Sequence, residues 1–311
     1  MRPATESDRR TASNRLRDVL VAGRNTDGGW GYYPGKASRL EPTCWAMLAL
    51  GSGPAPNPAP IDDARVLRDS AAAWLVRCQR PSGWLVEDPQ WPFNIAFNAL
   101  AAFTLQHYRD PARDEVLRRL LAAVVSSKGT PAPTAADLRQ DNSLQGWSWI
   151  DATFSWVEPT CWGLLALKKA RGAGISDNAM TARIAEAERL LIDRSCRPGG
   201  WNFGNALVMG QDLRPYVPTT ALGLLAMQDR RDHDAVVRGL ATLETLWHEE
   251  ISATALGLSL VCLGVYGRPT NPLLARVIDH GAKALAFGNH HGIALAMFAL
   301  SSSGQPHAFR L

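Results

Sequence analysis

The chain repeats itself at an offset of 117 residues. The pentapeptide Glu-Pro-Thr-Cys-Trp occupies residues 41–45 and again residues 158–162, and the Gly-Trp pair that ends at Trp30 recurs at Trp147. A fixed register over several rare residue types indicates duplicated structural units. The fold therefore has to be built from repeats.

Each repeated block contains two smaller units, because Gly-Trp pairs end at Trp30, Trp84, Trp147 and Trp201. An amphipathic pattern with apolar positions three and four residues apart precedes each pair, and a more apolar run follows it. Glycine permits the left-handed backbone that ends a helix, and the large tryptophan ring suits a wedge between neighbouring hairpins. Each unit is therefore predicted to contain an outer amphipathic helix, a turn and an apolar inner helix.

Two weaker copies without the Gly-Trp pair follow, so six helical hairpins account for nearly the whole chain. The sequence predicts an all-α fold, an (α/α)6 toroid with inner and outer rings of helices, because a very apolar run at 292–300 requires the two ends to meet. The predicted domains are an N-terminal extension over 1–15 and a single toroid over 16–311. The repeats are expected at about 16–50, 67–105, 116–167, 184–227, 234–263 and 275–300.

Composition agrees with a large packed core, since 46% of the 311 residues are hydrophobic. The charged N-terminus is unlike a signal peptide, and no run approaches the roughly 20 apolar residues of a membrane span, so a cytoplasmic location is expected. Five cysteines without close pairs indicate reduced, buried thiols. The net charge of +4 is spread over many arginines, which favours a solvated face over a nucleic-acid site and leaves peripheral contact with a membrane open.

The segments 27–30, 79–84 and 197–201 read Asp-Gly-Gly-Trp, Gln-Arg-Pro-Ser-Gly-Trp and Arg-Pro-Gly-Gly-Trp. They resemble the repeats of squalene-hopene cyclases and of protein prenyltransferase β subunits. The resemblance covers residues 16–227 by motif and the remainder by helical pattern. It implies an α/α toroid whose hollow centre holds an isoprenoid chain, and it is more specific for the fold than for the reaction.

Three carboxylates are candidates for a catalytic acid: Glu41, Glu158 and Asp151. Glu41 and Glu158 each precede a proline, which favours the first turn of a helix, and the parallel inner helices of a toroid bring such starts to one mouth. The resemblance places both at the proton-donor position of class II terpene cyclases, although no Asp-x-Asp-Asp occurs here. Asp151 lies in an aromatic-rich connection, where low polarity favours a protonated acid. Pairing of a helix-start carboxylate with a nearby arginine is the structural alternative.

Aromatic side chains are concentrated in the same segments. Ring faces stabilise a carbocation by about 0.5–2 kcal/mol each, and Trp45 and Trp162 lie one helical turn beyond the two glutamates. Core packing is the alternative for any single ring. The predicted substrate-binding residues are Trp45, Trp91, Phe97, Trp149, Phe154, Trp156, Trp162 and His290.

No cofactor and no metal are predicted. The prenyltransferase β subunits hold zinc with an Asp-x-Cys pair and a distant histidine, and no Asp-x-Cys occurs here. The spacing of His280, His290 and His291 matches no strong metal pattern.

The sequence thus predicts a toroid enzyme that binds an isoprenoid in an aromatic-lined cavity and cyclises or isomerises it after protonation. Two alternatives stay open: a non-catalytic toroid that binds a lipid or a protein, and a zinc-independent prenyltransferase-like protein that needs a second subunit. An enclosed cavity with a carboxyl facing aromatic rings favours catalysis, whereas a filled centre favours a scaffold.

Overall fold

The computed structural model describes residues 4–52, 63–90, 92–108, 111–133 and 140–311. Within these ranges the regular structure is almost entirely helical, as predicted, with one short antiparallel ribbon of β1 (Leu207–Val208) and β2 (Gln211–Asp212). The α-helices are α1 (Glu6–Ala22), α2 (Leu40–Leu50), α3 (Asp63–Cys78), α4 (Ile95–Leu105), α5 (Pro111–Ser126), α6 (Val157–Gly172), α7 (Asn178–Asp193), α8 (Val217–Ala226), α9 (Asp234–Leu246), α10 (Ala253–Val265), α11 (Asn271–Phe287) and α12 (His290–Ser302).

The helices alternate in character along the chain. In α9 the buried residues Ala235, Val236, Gly239, Leu240 and Leu243 form one stripe, whereas every residue of α4 except Phe97 is buried. An amphipathic helix covers a core with one face, and a helix that is apolar all round lies inside it. The odd-numbered helices therefore correspond to the predicted outer helices and the even-numbered helices to the inner ones.

The first helix begins within the segment expected as an N-terminal extension. α1 begins at Glu6, so much of the segment 1–15 belongs to the first helical hairpin. Thr5 accepts a hydrogen bond from the backbone N–H of Asp8, and the Asp8 carboxylate accepts one from the backbone of Thr5. This capping box satisfies N–H groups at the helix start, a signal that the apolar pattern did not contain.

By its contacts the chain divides into two compact units. The first unit is Met1–Cys78 with Glu249–Arg310, and the second is Gln79–His248 with Leu311. The single toroid domain expected over 16–311 therefore stays a prediction.

The first unit joins the two ends of the chain. α12 packs against α1, α2, α10 and α11. Arg9 donates to the backbone oxygens of Leu300 and Ser303 at 3.0 Å, and Ser13 and Ser301 share a hydrogen bond of 2.9 Å. The expectation that the first hairpin meets the last one is confirmed within this unit.

In the second unit α6 lies between α4 and α8, and α5, α7 and α9 pack on these three helices. Lys168 of α6 is 1% exposed and lies 2.8 Å from the Glu188 carboxylate of α7. It also contacts Asp229 and donates to the backbone oxygen of Ala226, the last residue of α8, and Arg230 pairs with Glu188 at 2.7 Å. A buried cation is costly unless it is paired, so this network holds α6, α7 and the end of α8 together.

All five cysteines are buried and free, as expected. No described helix is both long and apolar enough to cross a membrane.

Candidate functional site at the starts of the inner helices

Three buried tryptophans fix the loops that lead into the inner helices. The indole N–H groups of Trp30, Trp147 and Trp201 donate to backbone oxygens near the ends of α1, α5 and α7, at 2.6 to 2.8 Å. Their backbone N–H groups donate to threonine hydroxyls on α2, α6 and α8 at 2.9 to 3.1 Å. Each loop is thereby tied to both helices of its hairpin, which explains why Gly-Trp and the threonine recur together.

The fourth Gly-Trp pair differs from this arrangement. Trp84 is half-buried and stacks on Phe93 with 4.9 Å between ring centroids. The following residue, Leu85, occupies the buried position, and the Asn98 side chain accepts from its N–H and donates to its oxygen. The expectation that Trp84 is a buried wedge is therefore wrong, because the structural register slips by one residue at this turn.

The residue two positions after each buried tryptophan lies at the start of a neighbouring inner helix. The backbone oxygens of Tyr32, Trp149 and Phe203 accept from the first N–H groups of α12, α4 and α6 at 2.8 to 2.9 Å. Helix starts leave N–H groups without intrahelical partners, so these carbonyls complete the helices. The repeat therefore places an aromatic ring beside the start of each of these inner helices.

In the first unit such a ring meets a carboxylate. Glu41 lies in the first turn of α2 with 13% of its side chain exposed, and the Tyr32 hydroxyl donates to its Oε2 at 2.5 Å. Nε2 of His291 lies 3.7 Å from Oε1 of Glu41. His291 has the same position in α12 that Glu41 has in α2. A carboxylate flanked by a phenol and an imidazole has two neighbours that can exchange a proton with it.

Trp45 lies one turn further along α2 and is 1% exposed. Its ring is stacked on His291 at 6.2 Å and on Phe309 at 5.8 Å, and Phe298 meets it edge-on at 6.0 Å. Phe309 is fully buried and comes from the segment that follows α12. Trp45 is close to Glu41 as predicted, but a residue that sequence reasoning did not single out covers its face.

In the second unit the predicted rings form two pairs. Phe97 and Trp149 meet edge-on at 5.8 Å, and Phe154 and Trp156 stack at 4.5 Å. Phe154 is exposed and the other three rings are half-buried. The structure therefore brings these four predicted residues together, pair by pair, near the starts of α4 and α6.

The second copy of the pentapeptide has different surroundings. Glu158 is half-buried in the first turn of α6. Burial raises the pKa of the neighbouring Cys161 thiol, and the charge of Glu158 raises it further. Trp162 is 2% exposed and packs on Phe103, so its position is that of a core residue.

The remaining predicted residues have separate outcomes. Asp151 is exposed and accepts from the N–H of Ala152 at 3.0 Å, so the low-polarity surroundings expected for it are absent. His290 is 1% exposed, and its Nδ1 lies 2.8 Å from the oxygen of Gly31, which makes it a packed helix-start residue. Trp91 lies outside the described residues.

The sequence did not single out Tyr32, and it indicated His291 only as a candidate metal ligand or helix-start residue and not as a neighbour of Glu41. The available signal was positional: Tyr32 follows a Gly-Trp pair by two residues, as Trp149 does, and His291 matches Glu41 in helical register. Among the described residues no group of three or more His, Cys, Asp or Glu side chains is arranged to hold a metal ion.

No family model and no curated protein matches the chain. Solved structures do resemble it. A GH76 α-1,6-mannanase from Salegentibacter sp. HEL1_6 matches with a TM-score of 0.66 at 8% identity, over 93% of this chain and 98% of that one. The type II terpene cyclase MstE from Scytonema, in complex with geranylgeranyl dihydroxybenzoate, matches with a TM-score of 0.60 at 13% identity, over 96% and 98%.

A protein from Actinoplanes matches with a TM-score of 0.57 at 14% identity, over 96% of this chain and 100% of that one. Identities this low show the fold alone. The mannanase and the cyclase are enzymes with different substrates on related scaffolds. The fold of this chain is that of the all-α, α/α toroid proteins.

Proposed function

We propose that the protein is an enzyme that binds an isoprenoid and cyclises or isomerises it after protonation, with Glu41 as the proton-transfer group. The contacts of Glu41 with Tyr32 and His291, together with the packing of His291 on the Trp45 ring, are the observation that carries this proposal. The likeness to a type II terpene cyclase supports it at the level of the scaffold.

The proposed reaction begins when the O–H bond of a protonated Glu41 breaks and the π electrons of a substrate double bond form a new C–H bond. The Tyr32 hydroxyl donates to Oε2 of Glu41, so it stabilises the carboxylate that this step leaves behind. A proton of the resulting carbocation then passes to solvent and solvent reprotonates Glu41, which completes an isomerisation or cyclisation with no other reactant. Positioned acid–base groups of this kind contribute roughly 10²–10⁴-fold to a rate.

Trp45 is the ring best placed to stabilise the cation. An aromatic face attracts a cation by about 0.5–2 kcal/mol and does not act as a base. Because Phe309 is stacked on Trp45, the proposal requires the Phe309 ring to leave when a substrate chain enters.

That same packing supports a second candidate, a toroid that binds an apolar ligand or a protein without catalysis. A carboxylate at a helix start is favoured electrostatically even without a catalytic role. Trp45 and Phe309 are both buried, and a packed core of this kind suits a scaffold.

The test is an incubation of purified protein with farnesyl diphosphate, geranylgeranyl diphosphate and squalene, followed by product analysis. The matched variants are Glu41→Gln and Glu158→Gln, which make the same change in the two copies of one motif, together with Asp151→Asn. We expect Glu41→Gln alone to lose at least about 100-fold in turnover. Unchanged turnover in Glu41→Gln contradicts the assignment, and binding without conversion by the unmodified protein supports the second candidate.

A further inference from the structure

A pocket of about 520 Å³ in the second unit has a role in none of the steps above. It lies between the loop that follows Trp201, the β1–β2 ribbon and the starts of α6 and α8. Its aromatic lining consists of Trp156, Phe203 and Tyr216. A volume of this size is that of a small-molecule site.

The three rings give the pocket flat apolar walls. Phe203 and Tyr216 lie 5.0 Å apart with 32° between their planes, and Phe154 supports Trp156 by stacking at 4.5 Å. Phe203 is 50% exposed, and Leu213 at the rim is 38% exposed. Exposed rings that remain open to a cavity favour an apolar or aromatic ligand body.

The polar groups of the lining are largely engaged with the protein. The Asn202 side chain donates to the oxygen of Asn205 and accepts from the N–H of Gly204. The Asn205 amide oxygen accepts from Gln140 at 2.9 Å. A hydroxyl-rich ligand requires many hydrogen bonds from its site, so this lining favours an apolar body with few polar groups.

The charges of the pocket do not balance. Asp212 pairs with Arg197 at 3.1 Å. Arg214 is exposed at the rim, with its guanidinium 5.6 Å from the centre of the Tyr216 ring and without a carboxylate partner among the described residues. An arginine held over a ring keeps its hydrogen-bond donors for an anion such as a carboxylate or phosphate.

We propose that this pocket binds an anionic amphiphile, a flat apolar body that carries one carboxylate or phosphate group. The rings of Phe203, Tyr216 and Trp156 contact the body, and the Arg214 guanidinium binds the anion. The inference does not depend on Glu41, so it stands or falls separately from the proposed reaction.

The experiment titrates the whole protein with 2-naphthoate and with its neutral analogue 2-naphthamide, followed by isothermal calorimetry at low and high salt. We expect naphthoate to bind about tenfold more tightly than the amide at low salt, with a smaller difference at high salt, because exposed charges are screened. A third probe, 2-naphthyl phosphate, distinguishes the two anions, and tighter binding of either anion than of the amide supports the proposal.

The variants separate the two parts of the site. Arg214→Gln is expected to remove the preference for the anion and to leave amide binding unchanged, whereas Phe203→Ala is expected to weaken all three probes alike. The matched control is Arg118→Gln, which removes an exposed arginine of α5 that pairs with Glu115. An anion preference that survives in Arg214→Gln, or a failure of all three probes to bind, overturns the proposal.

Discussion

The same pentapeptide begins α2 in the first unit and α6 in the second, yet the two starts differ in chemistry. Both are held by a threonine that accepts from the backbone N–H of a buried tryptophan. At the first start the ring after the Gly-Trp pair is Tyr32, whose hydroxyl bonds to Glu41. At the second it is Trp149, which has no hydroxyl and packs against Phe97. The repeated motif therefore builds the scaffold, and residues outside it give Glu41 its tyrosine and histidine neighbours.

The largest expected effect concerns the buried tryptophan that the two copies share. Trp30→Ala and Trp147→Ala each remove a fully buried ring and its hydrogen bond, so each should lower the free energy of unfolding by about 3–5 kcal/mol. Trp84→Ala, which alters a half-buried ring, should cost clearly less. Urea denaturation followed by circular dichroism measures all three. Equal losses in the three variants would show that Trp84 is a wedge after all.

The next effect concerns the ring that covers Trp45. Phe309→Ala should lower the free energy of unfolding by about 3 kcal/mol, because it leaves a cavity beside Trp45 and Phe298. It should also increase the binding of an apolar probe such as farnesol, since the space beside Trp45 opens. The control is Phe203→Ala, an exposed ring of the second unit, which should change stability by no more than about 0.5 kcal/mol. Loss of stability without any gain in farnesol binding would contradict a displaceable Phe309.

A smaller effect tests the hydrogen bond from the backbone N–H of each buried tryptophan to its threonine, which ties the loop to the inner helix. Thr43→Val and Thr160→Val each leave a buried tryptophan N–H without its acceptor, which should cost about 1–2 kcal/mol. The costs should be equal in the two copies, and Thr→Ser at either position should retain most of the stability. Thermal unfolding of the four variants provides the measurement. A large difference between the losses of stability at Thr43 and Thr160 would contradict an equal role of this hydrogen bond in the two copies.

The smallest expected effect concerns the pH dependence of stability at a position where the two copies differ. Lys168 of α6 corresponds to Gly51 in the first copy. Burial on its own raises the pKa of Glu188, but hydrogen bonds from Arg230 and Lys168 outweigh it and the net pKa is lowered. A lowered folded-state pKa contributes stability above the ordinary carboxyl range, and that stability is lost as the pH falls through the folded-state value. As the pH falls from neutral through the carboxyl range, the unmodified protein should therefore lose more stability than Glu188→Gln does, as urea denaturation at a series of pH values measures.

The control for this pH series is Asp279→Asn in the first unit. A hydrogen bond from Lys283 lowers the pKa of Asp279, but that pair is largely exposed and screened by water. Its substitution should leave the pH dependence of unfolding nearly unchanged. An equal effect of the two substitutions would show that the Lys168 network is no more coupled to folding than a surface pair.

The sequence predicted the parts of the fold that have a period. The alternation of amphipathic and apolar helices and the helix starts at the two Glu-Pro pairs follow from apolar spacing and from the 117-residue offset. The slip at Trp84 was not predictable from the motif, because Asn98 replaces the usual threonine as the partner of the turn.

The chemistry of the candidate site was less predictable. Glu41 and Trp45 were identified from their helical positions, whereas the contact between Glu41 and His291 joins the two ends of the chain and has no local signal. Phe309 follows the last helix, where apolar spacing no longer applies, so its stacking on Trp45 could not be inferred. Trp162 is as buried as Trp45, and Asp151 is exposed, so burial does not follow from the aromatic-rich sequence around these residues.

The most direct test of the central claim, proton transfer from Glu41, is the deuterium content of the product formed in D2O from whichever isoprenoid is converted. The account predicts one deuterium per product molecule from the unmodified protein and from Glu158→Gln, with product formation nearly abolished in Glu41→Gln. A product without deuterium, or full turnover by Glu41→Gln with loss in Glu158→Gln, would contradict it.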